Sequence, residues 1–324
     1  MRRFENGYQP QAGYLEQQMA EMSELWQPPM PEFEVIEHDP PIDSSNVTPA
    51  IWNDIARIIV KNHPNFDGFV VLHGTDTMAY SASALAFMLG GLNKPVIFTG
   101  AQLPLGQIRN DARENLKTSM MLAANYHIPE VSLFFGDHLY RGCRSTKISA
   151  TSFDAFDSPN YLPLATVGTT VKLFNERIRI DPSDAEFGFN PIEPTEIATF
   201  RLFPGMSVEV LEHFLTRPLR GLILETYGDG NGPTNDPGFV DVLRKAADAG
   251  IVILGCTQCI HGGMTQASYA TGTALTKAGV VPGRDMTVEA CLTKMLFLLS
   301  QKLSVDEMRI QLATNLAGEL TPPL

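Results

Sequence analysis

The chain has 324 residues, of which 44% are hydrophobic and 19% are charged, and its formal net charge is −12. This composition is typical of a globular protein, and the acidic excess argues against nucleic acid or an anionic membrane as partner, because phosphate groups are bound by clustered Lys and Arg. The first residues contain no apolar signal segment, and no apolar run is long enough to span a bilayer, so we expect a cytoplasmic protein.

The first half of the chain predicts an alternation of helices and strands. A helix is predicted over 14–22 and a weak strand signal covers 32–37, after which Thr48 and Pro49 are typical of the start of a helix that reaches Asn62. Short apolar runs then predict buried strands over 69–72, 95–98 and 131–135, with a helix over 110–125. Such an alternation favours a parallel sheet with right-handed crossovers.

A second alternation follows a segment of weak periodicity. The Pro-rich stretch 190–194 is typical of an interdomain linker. Strands are predicted over 198–202, 221–224 and 251–254, and helices over 208–215, 237–249, 288–301 and 305–313. We therefore predict an α/β protein of two domains, each with a mainly parallel sheet flanked by helices. The predicted boundaries are 1–189 for the domain with most of the active site, 190–196 for the linker and 197–324 for a smaller C-terminal α/β domain.

The turn after strand 69–72 is the strongest candidate for chemistry, because open α/β sheets bind ligands at the carboxyl ends of their strands. The ordinary interpretation is that Thr75 or Asp76 simply caps the N-terminus of the following helix. A threonine hydroxyl becomes a nucleophile when a base removes its proton, and a lysine beside a carboxylate can be that base. Thr75, Asp76 and Lys147 are the groups such a relay needs, although the sequence does not place Lys147 beside Thr75.

Two further clusters have a functional and an ordinary interpretation. The basic segment 138–149 contains Arg141, Arg144 and Lys147, and is either a solvated loop or a source of a cation aimed at a site. The four cysteines are too few and too irregular for a disulfide framework, and the pair at 256 and 259 indicates either ordinary thiols or redox and metal chemistry. Nucleotide and serine-hydrolase motifs do not occur in the sequence.

Several longer motifs occur in order along the chain. They are DSS at 43–45, DGFVVLHGTDTMAYSASAL at 67–85, KPVIFTGAQLP at 94–104, LYRGCRSTK at 139–147, FDAFDSPN at 153–160 and YGDGN at 227–231. With these motifs the sequence resembles the bacterial type I L-asparaginases, the cytoplasmic branch of the asparaginase and glutaminase family. HGTDTM after a buried strand is the most specific of them.

The resemblance implies hydrolysis of L-asparagine to L-aspartate and ammonia, without a metal or an organic cofactor. It implies that Thr75, Asp76 and Lys147 form the catalytic relay and that Tyr8 is a catalytic tyrosine on a flexible loop. Asp76 is also expected to pair with the α-ammonium group of the substrate. The remaining residues expected to bind substrate are Ser44 with the neighbouring backbone of Asp43 and Ser45 for the α-carboxylate, Ala101 through its backbone for the side-chain amide, and Asn231.

The resemblance also implies an assembly. Asn231 is expected to reach the site from a neighbouring subunit, so the partners expected are L-asparagine and further copies of this chain, in a homodimer or a homotetramer. Thr257 and Cys259 match, loosely, the neighbourhood of a second, allosteric asparagine site that cytoplasmic members can carry.

The sequence departs from the family at its beginning. The family starts with a strand and a TGGTIGM motif whose second threonine is the primary nucleophile, and Met1 aligns with the methionine that ends this motif. Either an internal methionine has been taken as the start, or the chain lacks the threonine. We favour the first, because the loss of a buried strand leaves unpaired backbone groups and a gap in the core. The catalytic activity of the 324 residues as given is therefore expected to be severely reduced.

Three alternatives stay open on the sequence alone. A glutaminase-leaning amidohydrolase differs from an asparaginase only in side-chain preference. The asparaginase-like subunit of a tRNA-dependent amidotransferase fits the acidic charge poorly, because tRNA binding calls for a basic surface. A catalytically silent amino-acid-binding protein would keep the binding residues without turnover.

Overall fold

A computed structural model describes residues 1–5, 7–179, 186–216, 218–264 and 270–322. The chain divides into two compact units, Met1–Asn190 and Pro191–Leu324, called here the first and the second unit. Each unit has a sheet flanked by helices, so the predicted α/β class with two domains is confirmed. The domain boundaries derived from the sequence stay a prediction. No helix among the described residues is long and apolar enough to cross a membrane.

The first unit contains most of the strands. They are β1 Arg2–Phe4, β2 Gly7–Gln9, β3 Phe69–Leu72, β4 Leu89–Gly90, β5 Val96–Thr99, β6 Val131–Phe135, β7 His138–Arg141, β8 Thr146–Lys147, β9 Phe156–Asp157, β10 Ala165–Val167, β11 Val171–Leu173 and β12 Gly188–Phe189. The α-helices of the first unit are α1 Tyr14–Ala20, α2 Pro49–Asn62, α3 Met78–Met88 and α4 Ala112–Asn125.

The main sheet of the first unit has the strand order β11-β10-β7-β6-β5-β3. The strands β3, β5 and β6 are parallel to one another, whereas β7, β10 and β11 are joined to the sheet in antiparallel pairs. Leu72, the last residue of β3, lies opposite Thr99, the last residue of β5. The turns that follow these two strands therefore begin side by side at one edge of the sheet.

Helix α3 begins directly after the turn that follows β3. Nine of its residues are buried, including Met78, Leu85 and Met88. A helix that is apolar all round is found inside a protein rather than on its surface. Because α3 is enclosed in this way, its first turn is a fixed support for the polar residues just before it.

Two apolar clusters stabilise the first unit. One joins β6, β7 and α4 through Phe134, Leu139 and Leu122. The other packs the segment after β2 against α4, with Met19, Met22 and Leu25 in contact with Leu116 and Met120. The N-terminal segment is therefore anchored to the helix that follows β5.

The second unit has a wholly parallel sheet. Its strands are β13 Ile197–Arg201, β14 Gly221–Thr226, β15 Val252–Thr257 and β16 Val280–Pro282, hydrogen-bonded in this order. Its helices are α5 Val208–Phe214, α6 Pro237–Asp248, α7 Ala270–Lys277, α8 Val288–Leu299 and α9 Val305–Ala313. Leu222, Leu224, Phe239, Leu243 and Ile253 are buried in one core cluster between sheet and helices.

The structure contradicts the strand expected over 32–37 and decides between the two interpretations of the basic segment 138–149. Residues 32–37 form no strand, although their composition favours one. The basic segment 138–149 is not a solvated loop, since β7 occupies its first part and Arg141 and Arg144 are both buried. Arg141 forms an ion pair with the buried carboxylate of Glu130, which compensates for the loss of water around both charges.

Candidate active site

The turn after β3 packs against a second short segment of the first unit. A Cβ atom at Gly74 would collide with the Ser44 side chain, so the close approach of the two segments requires glycine. Thr77 Oγ1 donates a hydrogen bond to the Ser44 carbonyl oxygen over 2.6 Å. The short 3₁₀ helix Ser44–Asn46 is thereby held beside the turn.

Asp43 fixes the shape of this segment. Its Oδ1 accepts hydrogen bonds from Ser45 N at 3.0 Å and from Ser45 Oγ at 2.8 Å, as a cap at the start of the 3₁₀ helix. Ser44 is buried and Ser45 is exposed. Ser44, predicted to bind an α-carboxylate with the neighbouring backbone, is therefore the member of this segment in contact with the turn.

Lys147 lies beside the two candidate residues of the turn. Its Nζ is 2.7 Å from Thr75 Oγ1 and 2.8 Å from Asp76 Oδ1. Pairing of β8 with β9 supports Lys147, whose backbone lies opposite Phe156. The Lys147 side chain is 20% exposed and the Asp76 side chain 67% exposed. The groups that the sequence suggested as a relay, Thr75, Asp76 and Lys147, are therefore in direct hydrogen-bond contact.

The loop after β5 is built as a rigid backbone segment. Gly100 approaches the His73 carbonyl oxygen so closely that a Cβ atom would collide with it. Asp111 Oδ2 accepts from Gln102 N at 2.9 Å and Asp111 Oδ1 accepts from Leu103 N at 3.0 Å. Asp111 directly precedes α4, so the helix start holds the loop that contains the half-buried Ala101.

Gln102 joins this loop to the relay. Its Oε1 accepts a hydrogen bond from Thr75 Oγ1 at 3.2 Å, and its Nε2 donates to the Ser152 carbonyl oxygen at 3.0 Å. From the sequence, Gln102 is one of the polar groups of a strand-end turn, and no role is assigned to it. Its partners at 75 and 152 are distant in the chain, so only the fold identifies its role.

His73 supports the turn from inside. Its Nδ1 is 2.7 Å from the Gly74 carbonyl oxygen and its Nε2 is 2.9 Å from Ser81 Oγ. Ser81 Oγ in turn accepts from Trp52 Nε1 at 2.9 Å. Burial lowers the pKa of His73, although its hydrogen bond to Gly74 acts in the opposite direction. A neutral imidazole that donates from Nδ1 and accepts at Nε2 satisfies this network.

Tyr8 lies on the hairpin of β1 and β2 and is 40% exposed. Its hydroxyl oxygen accepts a hydrogen bond from Gln107 Nε2 at 2.9 Å. The structure therefore places Tyr8 beside the loop after β5, in contact with Gln107 rather than with Thr75, Asp76 or Lys147.

The remaining candidates belong to the second unit. Asn231 closes a tight turn, in which its N–H donates to the Tyr227 carbonyl oxygen at 2.7 Å. Thr257 is buried at the end of β15, donates from Oγ1 to the Gly228 carbonyl oxygen at 2.6 Å and accepts from Cys259 N at 3.1 Å. Cys259 is exposed. These residues form one local cluster of polar groups at the carboxyl ends of β14 and β15.

The chemistry of the first unit's site follows from its hydrogen bonds. A lysine that contacts both a hydroxyl and a carboxylate can carry a proton between them, and a partly exposed carboxylate can also pair with a cationic group of a ligand. The backbone N–H groups of a turn before a helix favour negative charge nearby. The site is therefore suited to a small ligand with both a positive and a negative group.

Comparison with known proteins shows which family the chain resembles. A family model described as "Asparaginase, N-terminal" matches residues 2–179, and one described as "Glutaminase/Asparaginase C-terminal domain" matches residues 196–312. L-asparaginase 1 of Escherichia coli is 48% identical over 325 aligned positions, covering 99% of this chain and 95% of that protein.

Solved structures agree with these matches. The crystal structure of L-asparaginase I from Vibrio cholerae has a TM-score of 0.90 and 45% sequence identity, covering 96% of this chain and 93% of that one. The thermostable L-asparaginase from Thermococcus kodakarensis has a TM-score of 0.89 at 31% identity, covering 99% and 96%. The likeness therefore extends over both units.

Proposed function

The chain belongs to the asparaginase family, and from this membership we propose that it hydrolyses the side-chain amide of L-asparagine to give L-aspartate and ammonia. The membership confirms the resemblance identified from the sequence. The observation that carries the proposal is the position of Lys147 Nζ, 2.7 Å from Thr75 Oγ1 and 2.8 Å from Asp76 Oδ1. An acyl-transfer enzyme needs such a base within reach of a hydroxyl.

In the proposed reaction, Asp76 holds Lys147 in place and Lys147 removes the proton of the Thr75 hydroxyl. The Thr75 oxygen attacks the amide carbon, the C–N bond breaks, and the nitrogen leaves as ammonia with the proton returned by Lys147. Water then hydrolyses the Thr75 ester, which releases L-aspartate and restores the hydroxyl. The Thr75 N–H is suited to stabilise the negative charge that develops on the amide oxygen. Tyr8, in the hairpin of β1 and β2, is proposed to be a further catalytic residue of this reaction.

Substrate binding follows from the charges of a free amino acid. Asp76 pairs with the α-ammonium group, and Ser44 with the neighbouring backbone of Asp43 and Ser45 holds the α-carboxylate. The backbone of Ala101 meets the side-chain amide. The rigid loop after β5 and the packing of Ser44 against Gly74 support these assignments, because small zwitterions are bound best by groups already in position.

The proposal extends to the assembly and its location. Asn231 is proposed to complete the site of a neighbouring subunit in a homodimer or a homotetramer. Thr257 and Cys259, which are hydrogen-bonded to each other, are proposed to belong to an allosteric asparagine site. A cytoplasmic location is proposed, in keeping with the exposed thiol of Cys259.

Residues 1–324 contain no TGGT motif. Since this motif supplies the primary nucleophile in the family that the chain resembles, we propose that turnover by these residues alone is severely reduced and depends on Thr75. Binding of the amino acid depends on other groups and is proposed to persist.

The test combines an ammonia-release assay with calorimetric titration of L-asparagine and L-aspartate into the purified chain. Lys147→Met is expected to lower kcat by about 10²-fold or more, because it removes the general base. Lys117→Met is the matched control, since Lys117 forms its ion pair with Glu114 on the surface of α4. If the chain neither binds the two amino acids nor releases ammonia, the proposal is wrong.

A second candidate function uses the binding groups alone, because Ser44 and the partly exposed Asp76 can hold an amino acid without turnover. Such a catalytically silent amino-acid-binding protein would bind asparagine or aspartate in the calorimeter without releasing ammonia. A glutaminase would release ammonia faster from L-glutamine than from L-asparagine in the same assay. The substrate preference separates a glutaminase from an asparaginase, and residual ammonia release that is lost in Lys147→Met separates both enzymes from a silent binder.

A further inference from the structure

The side chain of Gln102 contacts the relay, yet the proposed reaction assigns it no role. Gln102 is half-buried and lies one residue after Ala101, in the loop that Asp111 holds in place. Its Oε1 is 3.2 Å from Thr75 Oγ1. A polar group so close to the reacting centre affects either the catalytic hydroxyl or the ligand beside it.

The orientation of the Gln102 amide is fixed by its other end. Nε2 donates to the Ser152 carbonyl oxygen at 3.0 Å and to the Ser149 carbonyl oxygen at 3.4 Å. A flipped amide would set Oε1 against these two carbonyl oxygens, and two acceptors facing each other repel. Oε1 therefore faces Thr75, and it can only accept hydrogen bonds.

This orientation decides where the Thr75 hydrogen lies. Lys147 in its ammonium form has only donors, and it lies 2.7 Å from Thr75 Oγ1. Thr75 must therefore accept from Lys147 and donate its single hydrogen to Gln102. In this arrangement the proton that the proposed relay must move points away from the lysine.

We propose that Gln102 is a specificity-determining residue, whose Oε1 accepts an N–H of the substrate carboxamide. The inference rests on the proposed function and names the group that recognises the amide. The incoming N–H competes with Thr75 for Oε1, so the Thr75 hydrogen is released from this acceptor and can turn toward the relay. A side-chain carboxylate has no hydrogen to donate and meets Oε1 as a second acceptor. Gln102 therefore favours the substrate asparagine over the product aspartate.

The test compares the affinities for L-asparagine and L-aspartate in the full chain. They are measured as KM and competitive Ki where turnover is measurable, and as calorimetric dissociation constants otherwise. Gln102→Met keeps the length of the side chain and removes the acceptor. It is expected to weaken asparagine binding about tenfold, as for one lost hydrogen bond, and to leave aspartate binding unchanged or tighter.

A second variant is expected to move the discrimination in the opposite direction. Gln102→Glu keeps an acceptor and adds negative charge, although it loses the donor to the Ser149 and Ser152 carbonyl oxygens, so it should weaken aspartate binding about tenfold more than it weakens asparagine binding. Gln301→Met is the control, because Gln301 Nε2 also donates to a backbone carbonyl, that of Phe297, in the second unit. Thermal unfolding establishes that each variant is folded.

The outcomes separate this inference from the proposed function. Equal weakening of both amino acids by Gln102→Met would falsify the inference and leave the proposed function in place, because a purely structural role affects both ligands alike. Unchanged discrimination in Gln102→Glu would also overturn it. A wild-type chain that binds neither amino acid overturns the proposed function, and the inference with it.

Discussion

His73 shows how one residue couples the turn after β3 to the interior of the first unit. Its ring connects the Gly74 carbonyl oxygen to Ser81 and, through Ser81, to Trp52 on α2. Because burial lowers the pKa of His73 from its ordinary value of 6.5, the folded chain binds a proton at this position less readily than the unfolded chain. The carbonyl that precedes Thr75 is therefore held by an uncharged ring.

The first prediction concerns the pH dependence that this ring causes. Below pH 6.5 the unfolded chain takes up a proton at His73 and the folded chain resists it, so the free energy of unfolding decreases as the pH falls through this range. His73→Gln removes the titrating group. The variant should be less stable than the wild type at neutral pH, but its stability should change less between about pH 7.5 and 5.5.

Urea unfolding at the two pH values measures the effect. His213→Gln is the control, because His213 is an exposed histidine whose Nδ1 contacts the Glu209 carbonyl oxygen on its own helix. A His73→Gln variant with the same pH dependence as the wild type would show that His73 titrates alike in both states.

For single residues, the sequence predicts a functional role where the adjacent residues form a recognisable motif. Thr75 and Asp76 follow a strand and a glycine, and this order marks a strand-end site without any structure. Gln102 could not be assigned a role, because its two amide contacts come from 149 and 152. The arginines and the lysine of the basic segment look alike in sequence, yet Arg141 pairs with Glu130 and Lys147 with Asp76.

Helix α8 contains a fully buried lysine, Lys294, which pairs with a buried carboxylate. Lys294 Nζ is 2.6 Å from Glu319 Oε1, and both side chains are fully buried. The same ammonium group donates to the carbonyl oxygens of Leu312 at 2.8 Å and Thr314 at 2.6 Å. Through these bonds Lys294 connects α8 to the end of α9 and to the segment that follows α9.

The second prediction is a large loss of stability when this pair is broken. Lys294→Met leaves the Glu319 carboxylate buried without its countercharge, which should cost about 3–5 kcal/mol of unfolding free energy. The double variant Lys294→Met with Glu319→Leu removes both charges and should be less destabilised than Lys294→Met alone. Chemical denaturation of both variants provides the comparison, and additive losses would contradict the account.

The elements with the strongest periodicity agree best with the sequence. The strands 69–72 and 131–135 and the helix 305–313 have the predicted bounds, because their apolar runs are bordered by turn or capping residues. The short strands β10 and β11 were not predicted, since three residues carry too little periodicity to be recognised. Residues 32–37 have the composition of a strand, but composition does not decide whether a partner strand is within reach.

At the scale of the whole molecule, each unit has a hydrophobic core cluster formed by its own residues. Phe98 lies in β5 of the first unit and Phe239 in α6 of the second, and neither side chain is exposed. Removing such a side chain leaves a cavity in one core only. The stability of the two units should therefore respond to different substitutions.

The third prediction uses this separation. Phe239→Ala should lower the stability of the second unit by about 3–5 kcal/mol, and Phe98→Ala should do the same in the first unit. Scanning calorimetry with hydrogen exchange should show early loss of protection in β13–β16 for Phe239→Ala and in β3, β5 and β6 for Phe98→Ala. Simultaneous loss of protection in both units, in either variant, would contradict independent cores.

The contacts of Lys147 also affect how the first unit folds. Lys147 lies 72 residues from Thr75 and 71 from Asp76 along the chain, and the parallel strands between them must find one another before the three side chains can meet. Pairing over such distances is slow, because the chain entropy of a long loop is lost before the contacts are gained. During synthesis the turn after β3 leaves the ribosome well before its lysine does. The contact of Lys147 with Thr75 and Asp76 is therefore formed late, after the strands between them have paired.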